Sequence, residues 1–440
     1  MVNELKKEKK FWLISIGVFF LVSLILFLSI PPTTYPDTAD YMRISRYPIG
    51  LRFFSDRPAL APLVFGFFNG NVVAITWFQY IFYLLSWLSL GISIFLIIQN
   101  RKLRLVATAT VLAISLNKDL FFWNNLLLSE SVSISTFALM CAVWLWALRI
   151  LIDKREDNKL IFIPLICSAI WALARDTNAW ALLAASLFSL LAVFFTPRKV
   201  FFVSITIGLL LIFIFQNHSS NVGGRWKFPF VNIVGQRILP DPVAREYFRN
   251  HGMPVEKISQ YSGKWASTFN RDWSGFGDWL DKDAKSVYMK YLLSKPFNSI
   301  WQPIYRWQDF LTTSPYRYSG NNEAPMWQRL YSYVVYPKGF RVPLFLLVII
   351  LFTSLLIRHR VLFKKHGYAV LFSLVLLMTS YASVFVSWHG DAMEVVRHSL
   401  GFSLQLRMAL WLVLFFSLDL LISNSLIDLR GRKAKFFIKF

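Results

Sequence analysis

FWLISIGVFFLVSLILFLSI, residues 11–30, runs for its whole length without a charge and decides the class of this chain. About 20 consecutive apolar residues carry an α-helix across a bilayer core, where backbone polar groups must be satisfied within their own segment. The stretch is too long for a signal-peptide core, and the Pro31-Pro32 pair after it offers no small-residue cleavage site, so it reads as a retained anchor. Working outward, further apolar runs lie at 72–98, 103–117, 126–150, 160–174, 177–195, 200–216, 343–358, 368–388 and 399–425, which makes ten expected spans. Those at 103–117 and 160–174 are short.

Composition points the same way. With 56% hydrophobic and 16% charged residues in 440, a set of soluble domains is excluded, as are disorder and a disulfide-stapled secreted domain. The formal charge of +23 would suggest nucleic acid in a soluble protein. Here the basic residues sit in short clusters between apolar runs and report topology instead. Cys141 and Cys167 lie inside such runs without metal-ligand spacing and read as packing residues.

Alternate loops divide the charge unequally. One face of the ten-span arrangement collects 22 Lys and Arg, including Lys6, Lys7, Arg101, Lys154, Arg155, Lys159, Arg360 and Lys439; the short loops of the other hold seven. The positive-inside rule puts both termini in the cytoplasm of a plasma (inner) membrane. The polar motifs then gather on the extracytoplasmic face: PDTADY (36–41), SDRP (55–58), NKD (117–119), SE (129–130), RDTN (175–178) and HGDAMEVVRH (389–398). So does the hydrophilic segment 217–342, with seven Trp and a helix start at Asp241-Pro242, which reads as a mostly helical subdomain between spans seven and eight. Three units are expected: a seven-span module over 1–216 with its first outer loop at 31–71, that subdomain, and a three-span module over 343–440.

Ionisable groups at membrane depth are costly and usually mark function. Asp37 and Asp40, three apart, share one face of a helix. They serve either as an N-cap with a variant capping-box partner, or as the group that deprotonates an acceptor hydroxyl with one that positions it. Arg57, Lys118, Arg175, Arg397 and His398 are candidates for binding a phosphate, which the planar fork of Arg suits best. Asp56, Glu130, Asp391 and Glu394 are candidates for shaping the acceptor site. Glu130 also heads an apolar span, where a negative charge suits the helix dipole. A continuous helix through 391–405 would line up Asp391, Glu394, His398 and Gln405, with Arg397 projecting aside. Arg407 pairs with Asp419 or snorkels.

This order of parts resembles the GT-C superfamily of integral membrane glycosyltransferases, in the branch of protein O-mannosyltransferases and lipid A aminoarabinose transferases. There an acidic motif follows the first helix, an acid-base-proline element precedes the second, and seven helices precede a large outer loop. Asp37 and Asp40 stand where that branch tends to have adjacent acids. Asp56-Arg57-Pro58 stands where Lys or His is common in place of Arg, and Ser129-Glu130 resembles the acid at the head of the fourth span. The resemblance extends to about residue 216 and the position of the following loop. It implies an all-α polytopic fold, a polyprenyl-phosphate-linked sugar as donor, inverting transfer to a hydroxyl, and a catalytic Asp carried onto Asp37, with Asp40 as second choice.

The expected activity is transfer of that sugar to a glycan, lipid or protein acceptor on the extracytoplasmic face, with the bilayer as partner and no nucleic acid. No cofactor is obligate, although Asp37, Asp40, Asp56 and Glu130 offer oxygen ligands for Mg or Mn. Motifs of nucleotide-driven pumps, zincins and α/β-hydrolases are missing from the sequence. The alternatives are a lipid-carrier-dependent polysaccharide polymerase or ligase, and a glycolipid transporter without chemistry.

Overall fold

The computed structural model describes residues 8–152, 161–195, 198–269, 276–311, 326–358 and 360–437. The basic residues Lys6, Lys7, Lys154, Arg155, Lys159 and Lys439, and Trp273, lie outside them. Among the described residues the architecture is all-α, with one isolated bridge, Thr33 to Leu126, and no strand. In chain order the principal helices are α1 (Lys9–Leu28), α2 (Pro36–Ile44), α3 (Leu60–Phe67), α4 (Val72–Ile97), α5 (Arg101–Ser115) and α6 (Ser129–Ile152). Then come α7 (Phe162–Ala174), α8 (Asp176–Phe195), α9 (Lys199–Val222), α10 (Lys227–Ile233), α11 (Pro242–Asn250), α12 (Ala284–Ser294) and α13 (Pro296–Tyr305). The last are α14 (Met326–Val335), α15 (Arg341–Arg358), α16 (Arg360–Gly390) and α17 (Leu400–Phe437).

Seven of these, α1, α4, α6, α8, α9, α16 and α17, contain described stretches long and apolar enough to cross a bilayer. This is a multi-pass membrane protein. Its lipid-facing surface is legible on α1, where Leu13, Val18, Leu21, Ile25 and Leu28 all point outward, more than half exposed. Such a surface needs hydrocarbon, not water, against it. An eighth crossing arises if α5 continues through 118–125 past a bend of 55°. The difference from ten has a simple cause at α7, whose 13 residues rise only about 20 Å against a core of about 30 Å. At the other end of its range, α9 runs on to Val222 instead of stopping at 216.

The helices pack side by side, α4 against α5 and α6, α8 against α9 and α16, and α16 against α17. Fully buried Tyr83, Trp87, Trp123 and Phe137 fill the space between α4, α6 and their neighbours. A separate apolar cluster, including Phe230, Phe248, Trp279 and Val287, forms within the segment after α9, and Ala392 from the α16–α17 connection packs on it. There α11 starts as its sequence implies: Asp241 Oδ1 accepts the N–H groups of Val243 (2.9 Å) and Ala244 (3.3 Å), Pro242 follows, and Gly252 stops the chain at φ +85°.

One junction positions everything that follows. Thr33 N donates to Asn125 O (2.8 Å) and Leu127 N to Thr33 O (3.0 Å), while Asn125 Nδ2 donates to Phe27 O (2.9 Å) and Ile30 O (2.6 Å). The exit of α1 is thereby fixed against the head of α6, so α2 begins beside Glu130.

Candidate active site

Helix α2 is set by its first turn. Pro36 fits the first helical position, where a missing N–H costs nothing, and Thr38 Oγ1 accepts from Tyr35 N (2.9 Å) while donating to Leu127 O (2.8 Å). Tyr35 holds the capping position, which corrects the expectation of Asp37 as cap and leaves both acids for other partners. Tyr41 and Ile44 bury the opposite side, with Tyr41 Oη donating to Ser129 Oγ (3.1 Å).

Arg57 closes over the two partly buried acids, with Nη2 at 2.9 Å from Asp37 Oδ1 and 2.7 Å from Asp40 Oδ2. Arg397, almost completely buried, is the hub. Its Nη2 lies 2.8 Å from Asp37 Oδ2, its Nε 2.6 Å from Glu130 Oε1 and its Nη1 2.8 Å from Glu394 Oε2, so three nitrogens of one guanidinium meet three carboxylates. Arg175 also reaches Glu130 Oε1 (3.2 Å) and makes a 2.9 Å bond to His398 Nδ1. Because an Arg N–H only donates, that ring nitrogen accepts and the proton sits on Nε2, 3.4 Å from Asp391 Oδ2. Asn232 Nδ2 bonds the other oxygen of Asp391 (3.0 Å). Segments more than 350 residues apart thus share one hydrogen-bonded network, as in Tyr35 Oη donating to Glu394 Oε1 (2.8 Å).

The electrostatics follow from this packing. Burial raises the Asp40 carboxyl, but the Arg57 and Arg43 guanidiniums outweigh it and hold Asp40 below its usual 3.8. Burial works against the charges of Arg57 and Arg397; their carboxylate partners more than offset it and both stay protonated. Burial, then the bond to Glu394, pushes the Tyr35 phenol up to about 12, so it remains a donor at neutral pH. A carboxyl lowered on folding stabilises the fold above its unfolded pKa and loses that contribution as pH falls through the folded value. The difference in thermal unfolding temperature between the protein and Asp40→Asn is therefore expected to hold from pH 7 to about 5 and to shrink below about 4. A difference that grows on acidification contradicts this.

Several expectations need correction. The continuous helix through 391–405 does not form: α16 stops at Gly390, Glu394 adopts φ +47°, and only the turn Val395–His398 intervenes before α17. That break aims Arg397 inward, not aside. Asp56, expected to shape the acceptor site, is half-exposed and lies 2.7 Å from Arg43 Nη2. Lys118 sits in a second cluster on buried Asp119 (2.7 Å), whose other oxygen meets Lys338 Nζ (2.6 Å). His398 backs Arg175. Arg407 takes neither expected course: it donates to Pro337 O and Leu311 O (2.9 Å each), while Asp419 accepts from Gln99 N (2.9 Å) and Asn100 N (2.8 Å).

Tyr35, Tyr41, Asn232 and Lys338 were not among the expected residues. Tyr35 adjoins the acidic motif and Tyr41 closes it, so both were legible as such; Asn232 and Lys338 carry no local pattern.

The 53–57 turn that presents Arg57 rests on the end of α9. Ser219 Oγ donates to Phe53 O, and a Cβ at Gly223 would collide with the Ser55 carbonyl oxygen. Gly223→Ala is expected to displace this turn, lowering stability by about 1–3 kcal/mol, measurable as a fall in unfolding temperature in nanodiscs.

A cavity of about 1230 Å³ adjoins the network, between the segment after α9 and the α16–α17 connection. Arg397, Glu394 and Tyr35 line it, whereas Asp37, Asp40 and Arg57 do not, so Arg397 links cavity and acids. Among the described residues no three His, Cys, Asp or Glu side chains group as a metal ion requires. No known protein family, curated protein or solved structure matches the chain.

Proposed function

We propose that this is a GT-C-like membrane glycosyltransferase. It moves a sugar from a polyprenyl-phosphate donor to an acceptor hydroxyl on the extracytoplasmic side of a plasma membrane, with inversion. The observation that carries the reading is the convergence of Asp37, Glu130 and Glu394 on Arg397, beside a cavity large enough for a glycan.

A lipid-linked sugar phosphate brings one negative charge at headgroup level and a chain that stays in the bilayer. At rest four carboxylates (Asp37, Asp40, Glu130, Glu394) face three guanidiniums (Arg57, Arg175, Arg397), with the further pair Arg43 and Asp56 at the edge beside Asp40. A phosphodiester therefore binds by taking over N–H groups now held by an acid. Arg57, the most exposed of the three guanidiniums, makes this exchange, and its withdrawal from Asp37 releases the base. Asp37 accepts the acceptor's hydroxyl proton while that oxygen bonds to the anomeric carbon and the bond from that carbon to the phosphate oxygen breaks. The leaving phosphate gains a second negative charge, which Arg57 and Arg397 stabilise more strongly than the bound diester. Glu130 and Arg175 hold Arg397 in place.

Incubating the purified protein in nanodiscs with polyprenyl-phosphate sugars labelled in the sugar, together with membrane glycan acceptors, tests the reading. Expected is labelled product of inverted anomeric configuration with release of polyprenyl phosphate; absence of turnover with every donor contradicts it. A glycolipid transporter is less well supported. The deepest ionised group of α17, Arg407, is tied to backbone carbonyls and to Ser403, not poised along a path.

A further inference from the structure

The cavity wall holds cations that the proposed sugar transfer does not use, Arg237, Lys295 and Arg306, together with the carboxylates Asp241 and Asp309. Arg237 lines it from a π-helical turn, Val234–Ile238, a geometry found more often at functional sites than elsewhere. Its guanidinium lies over Trp388, 3.8 Å from the ring centre, and bonds the Trp388 carbonyl oxygen. Among the described residues no carboxylate lies within ion-pair distance of it, and that carbonyl is its one hydrogen-bond acceptor, although a guanidinium has five N–H donors. Arg306, already paired with Asp309 (3.0 Å), approaches the same indole at 5.3 Å, and Trp388 Nε1 is itself held by Gln302 Oε1 (3.1 Å). Lys295, also on the wall, rests against Tyr291 (5.0 Å) with no carboxylate partner among the described residues. Burial holds the Arg237 pKa below the usual value, a penalty that a bound anion would relieve.

We infer that this wall is a subsite for an anionic glycan, seating a carboxylate or phosphate group of the acceptor on Arg237, with Arg306 and Lys295 beside it. The volume exceeds the roughly 300–1,000 Å³ of ordinary small-molecule pockets, so it accommodates several sugar rings. Trp265, 40% exposed on the wall, offers a ring face to a pyranose. The inference deepens the transferase reading and rests on it for the word acceptor; the anion site itself stands on Arg237 and the cations beside it, whatever the reaction.

The test is binding to the full-length protein in nanodiscs, followed by tryptophan fluorescence, with galacturonic acid hexamer as carboxylate probe, glucose 6-phosphate as phosphate probe and maltohexaose as neutral control. Expected is binding of an acidic probe but not of maltohexaose, weakening at raised salt. Affinity is expected to fall about ten- to a hundredfold in Arg237→Gln, the loss of a charge-assisted hydrogen bond, less in Arg237→Lys, and not in Asp37→Asn. Which acidic probe wins identifies the group. If Arg237→Gln does not fold, Arg306→Gln carries the same criterion. Equal binding of neutral and acidic probes, no binding of either acidic probe, or binding indifferent to both substitutions overturns the subsite. Loss of sugar transfer with acidic-probe binding intact overturns the transferase reading alone.

Discussion

Replacing Arg397 by Gln is expected to remove sugar transfer almost entirely and to destabilise the protein. Three carboxylates lose their common cation, and Glu130, with no exposed side-chain surface, keeps Arg175 at 3.2 Å as its one cation among the described residues, besides the Ser129 hydroxyl at 3.5 Å. Stranding a buried charge in this way costs about 3–5 kcal/mol, whereas exchanging a whole buried pair for apolar groups is often neutral. The two effects separate in a double variant. Arg397→Met with Glu130→Gln is expected to recover much of the unfolding temperature in nanodiscs, yet to stay at least about 10²-fold down in turnover, because the leaving phosphate still lacks its preorganised donor. Recovery of both would make Arg397 a structural tie and nothing more.

The second large effect belongs to Asp37. Asp37→Asn preserves shape and can still accept from Arg57, but it cannot take a proton; turnover is expected to fall about 10²- to 10⁴-fold with donor binding little changed. Asp40→Asn loses a partly exposed ion pair at 37% exposure, an interaction worth at most about 1 kcal/mol, so less than about tenfold is expected. The contrast between two acids on the same helix face carries the information. Equal losses in both variants would assign the proton to neither, and full activity in both would favour a polymerase or ligase that works through its cations.

The helical class and most of the crossings were readable from the apolar runs, because a bilayer imposes length and composition on each segment independently of its neighbours. The acids and bases that meet were also readable as a set, since each lies at a helix end where a charge has no reason to sit in hydrocarbon. What sequence did not reveal was who pairs with whom. Periodicity carried across 389–398 assumed one helix; the left-handed Glu394 breaks it and turns Arg397 from bystander into hub. Asp56 and Arg57 are neighbours in sequence, yet the turn points them apart, toward Arg43 and toward α2. Lys118 shared the right helix ends but found Asp119 next to it. Nothing local marks Asn232 or Lys338, whose partners are 159 and 219 positions away.

The most direct test of the account is native mass spectrometry of the protein in nanodiscs with polyprenyl phosphate and polyprenol side by side. If Arg57 and Arg397 receive a lipid phosphate, polyprenyl phosphate is retained over polyprenol by the unaltered protein and by Asp37→Asn, and Arg57→Gln loses that preference. Equal retention of the phosphate and the alcohol, or a preference that survives Arg57→Gln unchanged, would contradict it.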